Sequence, residues 1–200
     1  MVNVAMGVLD RAFGHPRGLL GRLGGRLMER GNAGQERWAV DRAMLRPGEH
    51  VLVVGHGPGV GLALAAAAVG PSGRVVGVDP SETMREMAMT RCAEEIAQGF
   101  VEVRDGSAEA TGCAEASVDA VISVNNINLW ELGAGFAELT RVLRPGGRLV
   151  ASVHRHILGT PAGELQRHAD RAGLDQVELT VRPRRMISPA VELFASRPET

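Results

Sequence analysis

The chain has 200 residues, of which 44% are hydrophobic and 22% charged, enough for one buried core and too apolar for a disordered chain. All 22 basic residues are Arg and Tyr is absent, which excludes a lysine Schiff base, a phosphate-loop lysine and a Tyr–Lys reductase pair. A net charge of −1 gives no global reason to bind nucleic acid or an anionic membrane. Cys92 and Cys113 lie 21 positions apart with no C-x-x-C, so neither a disulfide framework nor a metal site is expected. The longest apolar run, Val60 to Val69, is too short to cross a bilayer, and a cytoplasmic setting is expected.

Residues 1–46 differ from the remainder, with eight Arg in residues 1–48 against Asp10, Glu29, Glu36 and Asp41. Leu19, Leu20, Leu23 and Leu27 form one apolar stripe, interrupted by Gly21, Gly24 and Gly25. A second short helix runs from about Gln35 to Leu45 and ends before Pro47-Gly48. This segment is expected to be a helical arm or lid belonging to the same domain as a core at residues 47–200. A solvated helix face is the plainer account of its arginines.

The alternation of apolar runs from His50 onward sets the fold. V-L-V-V after His50 is a short apolar strand, and Val60 to Val69 is an Ala-rich helix. After the Gly70-Pro71-Ser72-Gly73 turn come a strand at Arg74–Val78, a helix from about Ser81 to Ala97 and a strand at Phe100–Arg104. A strand at Val118–Val124, a helix from Ala134 to Leu143, a Pro145-Gly146-Gly147 turn and a strand at Arg148–Val153 complete the regular alternation. Strands apolar on both faces, separated by helices, predict a doubly wound parallel α/β sheet with helices on either side. After Pro161 one more helix reaches about Ala172, followed by strands at Gln176–Arg182 and Ala190–Ser196. Their connection is too short for a parallel crossover, so the seven-stranded sheet is predicted to close with an antiparallel hairpin.

The first strand runs into Gly55-His56-Gly57-Pro58-Gly59, a strand-to-helix turn at which missing Cβ atoms allow close approach to the backbone. Asp79, ending the second strand, stands where a carboxylate accepts both hydroxyls of a ribose. The glycines satisfy G-x-G-x-G but not the dinucleotide pattern G-x-G-x-x-G, which counts against a nicotinamide dehydrogenase.

With V-L-V-V-G-H-G-P-G at 51–59, V-V-G-V-D-P-S-E-T-M at 75–84, R-D-G-S-A-E at 104–109, S-V-D-A-V-I-S-V-N-N at 117–126 and L-T-R-V-L-R-P-G-G-R-L at 139–149, the chain resembles the class I S-adenosylmethionine-dependent methyltransferases. The nearest subgroup is the small-molecule type related to quinone-biosynthesis methyltransferases. The resemblance implies a Rossmann-like sheet of order 3-2-1-4-5-7-6. It also implies S-adenosylmethionine as cofactor, S-adenosylhomocysteine as product, and an O, N or C atom of a small molecule as methyl acceptor. Gly55, Gly57 and Gly59 would then pass beneath the methionine portion, with His56 lining the pocket. Asp79 would hold the ribose, with Pro80 beside it, and Met84 would pack on the adenine. Asp105 would accept from the adenine amino group, with Gly106 and Ser107 adjacent, and Asn125 would sit beside the sulfonium. One position departs from the family pattern: Val53 stands where an acid usually helps organise the methionine amine.

Methyl transfer from a sulfonium needs alignment more than functional groups, and an acceptor that must lose a proton gains from a base near pKa 7. His154 and His156, just past the fifth strand, are the candidate bases; His15, His50 and His168 read as structural. Asn126, Trp130, Trp38 and Met28 are expected to line an acceptor pocket, with Leu19, Leu23 and Leu27 docking over the open sheet edge as a lid. Loops 126–134 and 154–161 are expected to carry acceptor specificity. Two rivals use the same motifs: a nucleic-acid methyltransferase using the Arg-rich arm, and a cofactor-binding protein without catalysis.

Overall fold

The computed structural model describes residues 32–184 and 188–199. Met28, Leu19, Leu23 and Leu27, and with them the expected lid, lie outside the described residues. Helix α1 (32–43) precedes β1 (His50–Val54), α2 (Val60–Val69), β2 (Arg74–Val78), α3 (Glu82–Arg91), α4 (Ala93–Ala97) and β3 (Val101–Arg104). Then follow β4 (Val118–Val124), a 3-10 turn (Ile127–Leu129), α5 (Leu132–Val142), β5 (Leu143–His154), α6 (Gly163–Arg171), β6 (Asp175–Arg182) and β7 (Ala190–Ser196).

The seven strands form one sheet in the order β3-β2-β1-β4-β5-β7-β6, parallel except for β7, which runs antiparallel to both neighbours. Chain winding reverses at β1, which pairs with β2 on one side and β4 on the other. That reversal opens a crevice beyond the C-terminal ends of β1 and β4, the place where such sheets bind ligands.

Alternation along each strand sends side chains to two cores. Leu52 and Val54 join Val76, Val78, Val121, Phe136, Leu139 and Leu165 under α5 and α6. Val51 and Val53 join Ile122, Val150, Leu62, Ala65, Ala88 and the α1 residues Ala39, Val40 and Ala43 on the other face.

Helix α1 spans 32–43 rather than about Gln35 to Leu45, and three further predicted elements differ from the structure. The single helix from Ser81 to Ala97 is two helices, because Cys92, fully buried with φ −103° and ψ 28°, turns the chain between α3 and α4. The fifth strand starts at Leu143 rather than Arg148. Leu143 pairs with Val118, and Arg144–Gly147 bulges out opposite Asp119 before pairing resumes at Ala120 and Arg148. The Arg144 guanidinium, 2.7 Å from both oxygens of Asp119, holds that bulge. Helix α5 starts at Leu132 rather than Ala134, because the Glu131 carboxylate caps it by accepting from the N–H groups of Gly133 and Ala134.

Helix α1 is fastened at its C-terminal end by Arg148. Its guanidinium donates to the carbonyls of Ala43 and Met44 and forks onto Glu49 at 2.6 and 3.1 Å. Side chains only 15% and 17% exposed place this pair well away from bulk water. Arg148→Ala is expected to destabilise the chain by about 3 kcal/mol, because it leaves two helix-end carbonyls unpaired and the half-buried Glu49 carboxylate without its counter-ion, held only by Arg46 N. The urea midpoint measures it; Arg148→Lys, unable to fork, should recover only part of the loss.

Candidate cofactor and acceptor site

The turn after β1 is built from three left-handed glycines, Gly55 (φ +62°), Gly57 (φ +53°) and Gly59 (φ +87°), and each serves a different end. A Cβ on Gly55 would lie 1.7 Å from the Asn126 amide, and one on Gly59 would lie 2.9 Å from Ala88 of α3. These two glycines therefore let protein groups pack closely. A Cβ on Gly57, which is itself buried, would meet nothing within 4 Å among the described residues beyond its chain neighbours.

His56, between them, is buried. Its Nδ1 lies 2.8 Å from the Gly57 carbonyl, which can only accept, so Nδ1 carries the proton. Burial pushes the imidazole pKa down and keeps it neutral, and Nε2 has no partner among the described residues. Space for the ring comes from Gly77 on β2, where a Cβ would meet His56 Cδ2 at 2.9 Å.

Asp79 is only 7% exposed. One carboxylate oxygen accepts from Gly57 N and the other from Ser81 N, both at 2.9 Å, leaving each oxygen a lone pair for a further donor. Ser81 caps α3 by accepting from Met84 N, which fixes the buried Met84 next to this strand end. Arg85 donates to the Asp79 carbonyl and to Asp105, both at 2.8 Å, so three of the expected ligand residues are tied to one helix turn. The Asp105 carboxylate is 76% exposed, Pro80 is exposed, and Gly106 and Ser107 are half-buried in a turn closed by Ser107 N on Ala110 O.

Beyond β4, the two asparagines part company. Asn125 takes φ +56° and spans three elements: its Nδ2 donates to Gln35 Oε1 at 3.0 Å, and its Oδ1 accepts from His154 N at 2.8 Å. Gln35, fully buried on α1, in turn donates to Ser152 Oγ on β5 at 2.9 Å. The Asn126 Nδ2 donates to the Val54 carbonyl, and its Oδ1 accepts from Ser123 Oγ and from Trp130 Nε1, the latter two at 2.8 Å. Trp130 stands edge-on to Phe136, 5.8 Å between ring centres. Asn126 and Trp130 thus pin the β4 turn to β1 and α5, with their polar atoms occupied by protein.

His154 is held at both nitrogens, with Arg184 Nη2 at 2.8 Å from Nδ1 and Asn32 Oδ1 at 3.3 Å from Nε2. Arginine only donates, so Nε2 carries the proton. Burial, then the Arg184 and His156 charges, lower its pKa to about 4. His156, 5.5 Å away ring to ring, is exposed beside an open depression of about 560 Å³ lined by Arg155, Gly159, Thr160 and Pro161. Trp38 is half-buried on α1 with the Arg182 guanidinium 5.9 Å above its ring. A second cavity, of about 190 Å³ and lined by His50, Arg74, Arg104 and Cys113, sits at the opposite sheet edge, away from these groups.

Two residues of this edge escape a motif search: Gln35 and Glu36. They occupy buried positions of the stripe that continues through Ala39, Val40 and Ala43, and polar side chains in an apolar stripe are the signal that marks them. Burial alone raises the Glu36 pKa from its ordinary 4.5 to about 8. Because the folded value exceeds the unfolded one, this carboxyl's contribution to stability is full below pH 4.5 and is lost as pH rises through 8. Between those limits the slope approaches about 1.4 kcal/mol per pH unit. The urea midpoint is expected to fall from pH 5.5 to pH 8.5, and Glu36→Gln to flatten that fall.

Residues 51–147 match the methyltransferase domain family. An arsenite methyltransferase of Halobacterium salinarum is 42% identical over 111 residues, 55% of this chain and 28% of that protein. A demethylmenaquinone methyltransferase of Symbiobacterium thermophilum is 35% identical over 124 residues, 60% of this chain and 49% of that one. The chain thus spans no more than about half the length of these curated relatives. A crystal structure of an S-adenosylmethionine-dependent methyltransferase from Aquifex aeolicus superposes with a TM-score of 0.68 at 21% identity, covering 80% of this chain and 88% of that one. Glycine turn, acidic end of β2, strand order and domain match agree: residues 51–147 match a methyltransferase domain, set in the fold shared with S-adenosylmethionine-dependent methyltransferases.

Proposed function

We propose that the protein is an enzyme that transfers a methyl group from S-adenosylmethionine to an organic small molecule. The observation that carries this reading is Asp79, buried at the end of β2 and bonded to Gly57, the one glycine of the turn at which a Cβ would meet no other group within 4 Å among the described residues. The cofactor, when bound, supplies a methyl group on a sulfonium; the chain binds it, orients it and excludes water. On this reading Asp79 accepts from the ribose hydroxyls with its remaining lone pairs. Gly57 lies beneath the methionine portion, Met84 faces the adenine with Asp105 and Ser107 beside it, and Asn125 stands by the sulfonium.

On the acceptor side, among the described residues, the candidate base at the end of β5 is already committed to protein partners. His154, with a pKa near 4 and both nitrogens engaged, positions its neighbours rather than taking a proton. This favours an acceptor whose nucleophilic atom needs no base from the protein, such as an electron-rich ring carbon or a phenolate of a quinol. Arsenite, a soft thiol-seeking acceptor, fits less well. Cys92 is buried with its pKa pushed up to about 11, and Cys113 lines the cavity at the opposite sheet edge.

Labelled S-adenosylmethionine incubated with demethylated quinols or with arsenite tests the reading. Label in a quinol product supports it, label in arsenic species overturns the organic acceptor, and no transfer to any metabolite overturns the enzyme. Asp79→Ala is expected to weaken S-adenosylhomocysteine binding by about 1.5–3 kcal/mol by calorimetry, since two ribose hydroxyls lose a charged acceptor. Unchanged affinity would remove Asp79 from the site.

A further inference from the structure

Resting on the cofactor reading above, we propose that Glu36 holds the ammonium group of the cofactor's methionine moiety, replacing the acid absent at Val53. Helix α1 lies against the sheet face that receives Val53, in one apolar cluster with Leu62 and Ala65 of α2. Its far end is fixed by Arg148, where β5 begins its regular pairing, and Gln35 is fixed among Asn125 and Ser152 where β4 and β5 end. Glu36 therefore enters the structure at the ligand edge, on the side of the sheet to which the side chain at position 53 points.

There its carboxyl meets the first turn of α2. A Cβ built on Gly61 would stand 2.2 Å from Glu36 Oε2 and 3.2 Å from its Cδ, so the absence of a side chain at Gly61 makes the room that Glu36 occupies. Gly61 has no need of glycine for its backbone angles, which leaves the neighbouring carboxyl as the reason for its smallness. Glu36 is only 9% exposed, and it has no hydrogen-bond or ion-pair partner among the described residues. A carboxyl taken from water without a partner is costly and is kept neutral when nothing compensates it, in keeping with its raised pKa. A cation arriving beside it removes that cost. S-adenosylhomocysteine carries one cationic group, its α-ammonium, and the glycine turn that holds its methionyl portion on the reading above runs directly into the first turn of α2, which contains Gly61.

The experiment is calorimetric titration of the full chain with S-adenosylhomocysteine and with its deaminated analogue, which keeps the nucleoside, thioether and carboxylate but lacks the ammonium. The wild-type chain is expected to bind S-adenosylhomocysteine at least tenfold more tightly than the analogue. Glu36→Gln should lose at least tenfold for S-adenosylhomocysteine and less than twofold for the analogue, so that the preference disappears. Gly61→Ala, whose methyl displaces the carboxyl without backbone strain, should erase the same preference, and it decides the matter if melting curves show that Glu36→Gln does not fold. Undiminished preference in a folded variant, or equal loss for both ligands, overturns the role of Glu36 and leaves the cofactor reading standing. A wild-type chain that binds neither ligand overturns both.

Discussion

A single carboxylate joins the two turns on which the site is built. Asp79 receives Gly57 N from the β1–α2 turn and Ser81 N from the β2–α3 turn, so one side chain sets the spacing between the glycine loop and the start of α3. The glycine loop bends through three left-handed residues and exposes backbone N–H groups that must find acceptors. Without Asp79 one of those donors would be left unpaired at a buried position, and Ser81 would lose the bond that aims its hydroxyl at Met84. The constraint is local, yet it fixes how the glycine turn and the start of α3 face each other.

The parallel part of the fold is legible in the sequence because burial on both faces leaves a simple trace: short apolar strands, glycines at their ends and helices between. The closing hairpin follows from the short link between β6 and β7. The break at Cys92 is not legible, since a buried Cys in a helical pattern reads as one more apolar position. The bulge at Arg144–Gly147 is hidden for the opposite reason. Pro-Gly-Gly is an ordinary turn signal, and only the side chain of Asp119, reaching across to Arg144, keeps that turn within the strand ladder.

Spacing alone puts Asp79 at the end of β2, and the structure sets it against Gly57. Asn125 and Asn126, by contrast, are alike as letters and differ in use. Asn125 adopts left-handed backbone and reaches α1 and β5; Asn126 turns inward to Val54, Ser123 and Trp130. No sequence rule separates them, because the difference is set by the missing Cβ of Gly55, about seventy positions away in the chain and in contact in the fold. Gln35 and Glu36 read as ordinary polar residues of a short helix, although their spacing with Ala39, Val40 and Ala43 already places them on its buried face.

The matched methyltransferase domain ends at residue 147, and that boundary divides the site chemically. Inside it lie the glycine turn, Asp79, Met84, Asp105 and Asn125, the groups to which the proposed function assigns a nucleoside and a methionyl chain. Outside it lie Asn32, Gln35, Ser152, His154 and Arg184, which close the ends of β4 and β5 from α1 on one side and the β5–β7 edge on the other. Their hydrogen bonds form a continuous path, from Arg184 through the His154 ring to Asn32 and from the His154 backbone through Asn125 to Gln35 and Ser152. A group with its bonding capacity already spent cannot deliver or accept a proton without breaking a partner's bond. On the proposed function, the acceptor would therefore meet a surface of fixed shape and fixed dipoles. In such an arrangement selectivity for the acceptor comes from the fit to that surface, and the surface can change, segment by segment outside residues 51–147, without disturbing the half that Asp79 organises.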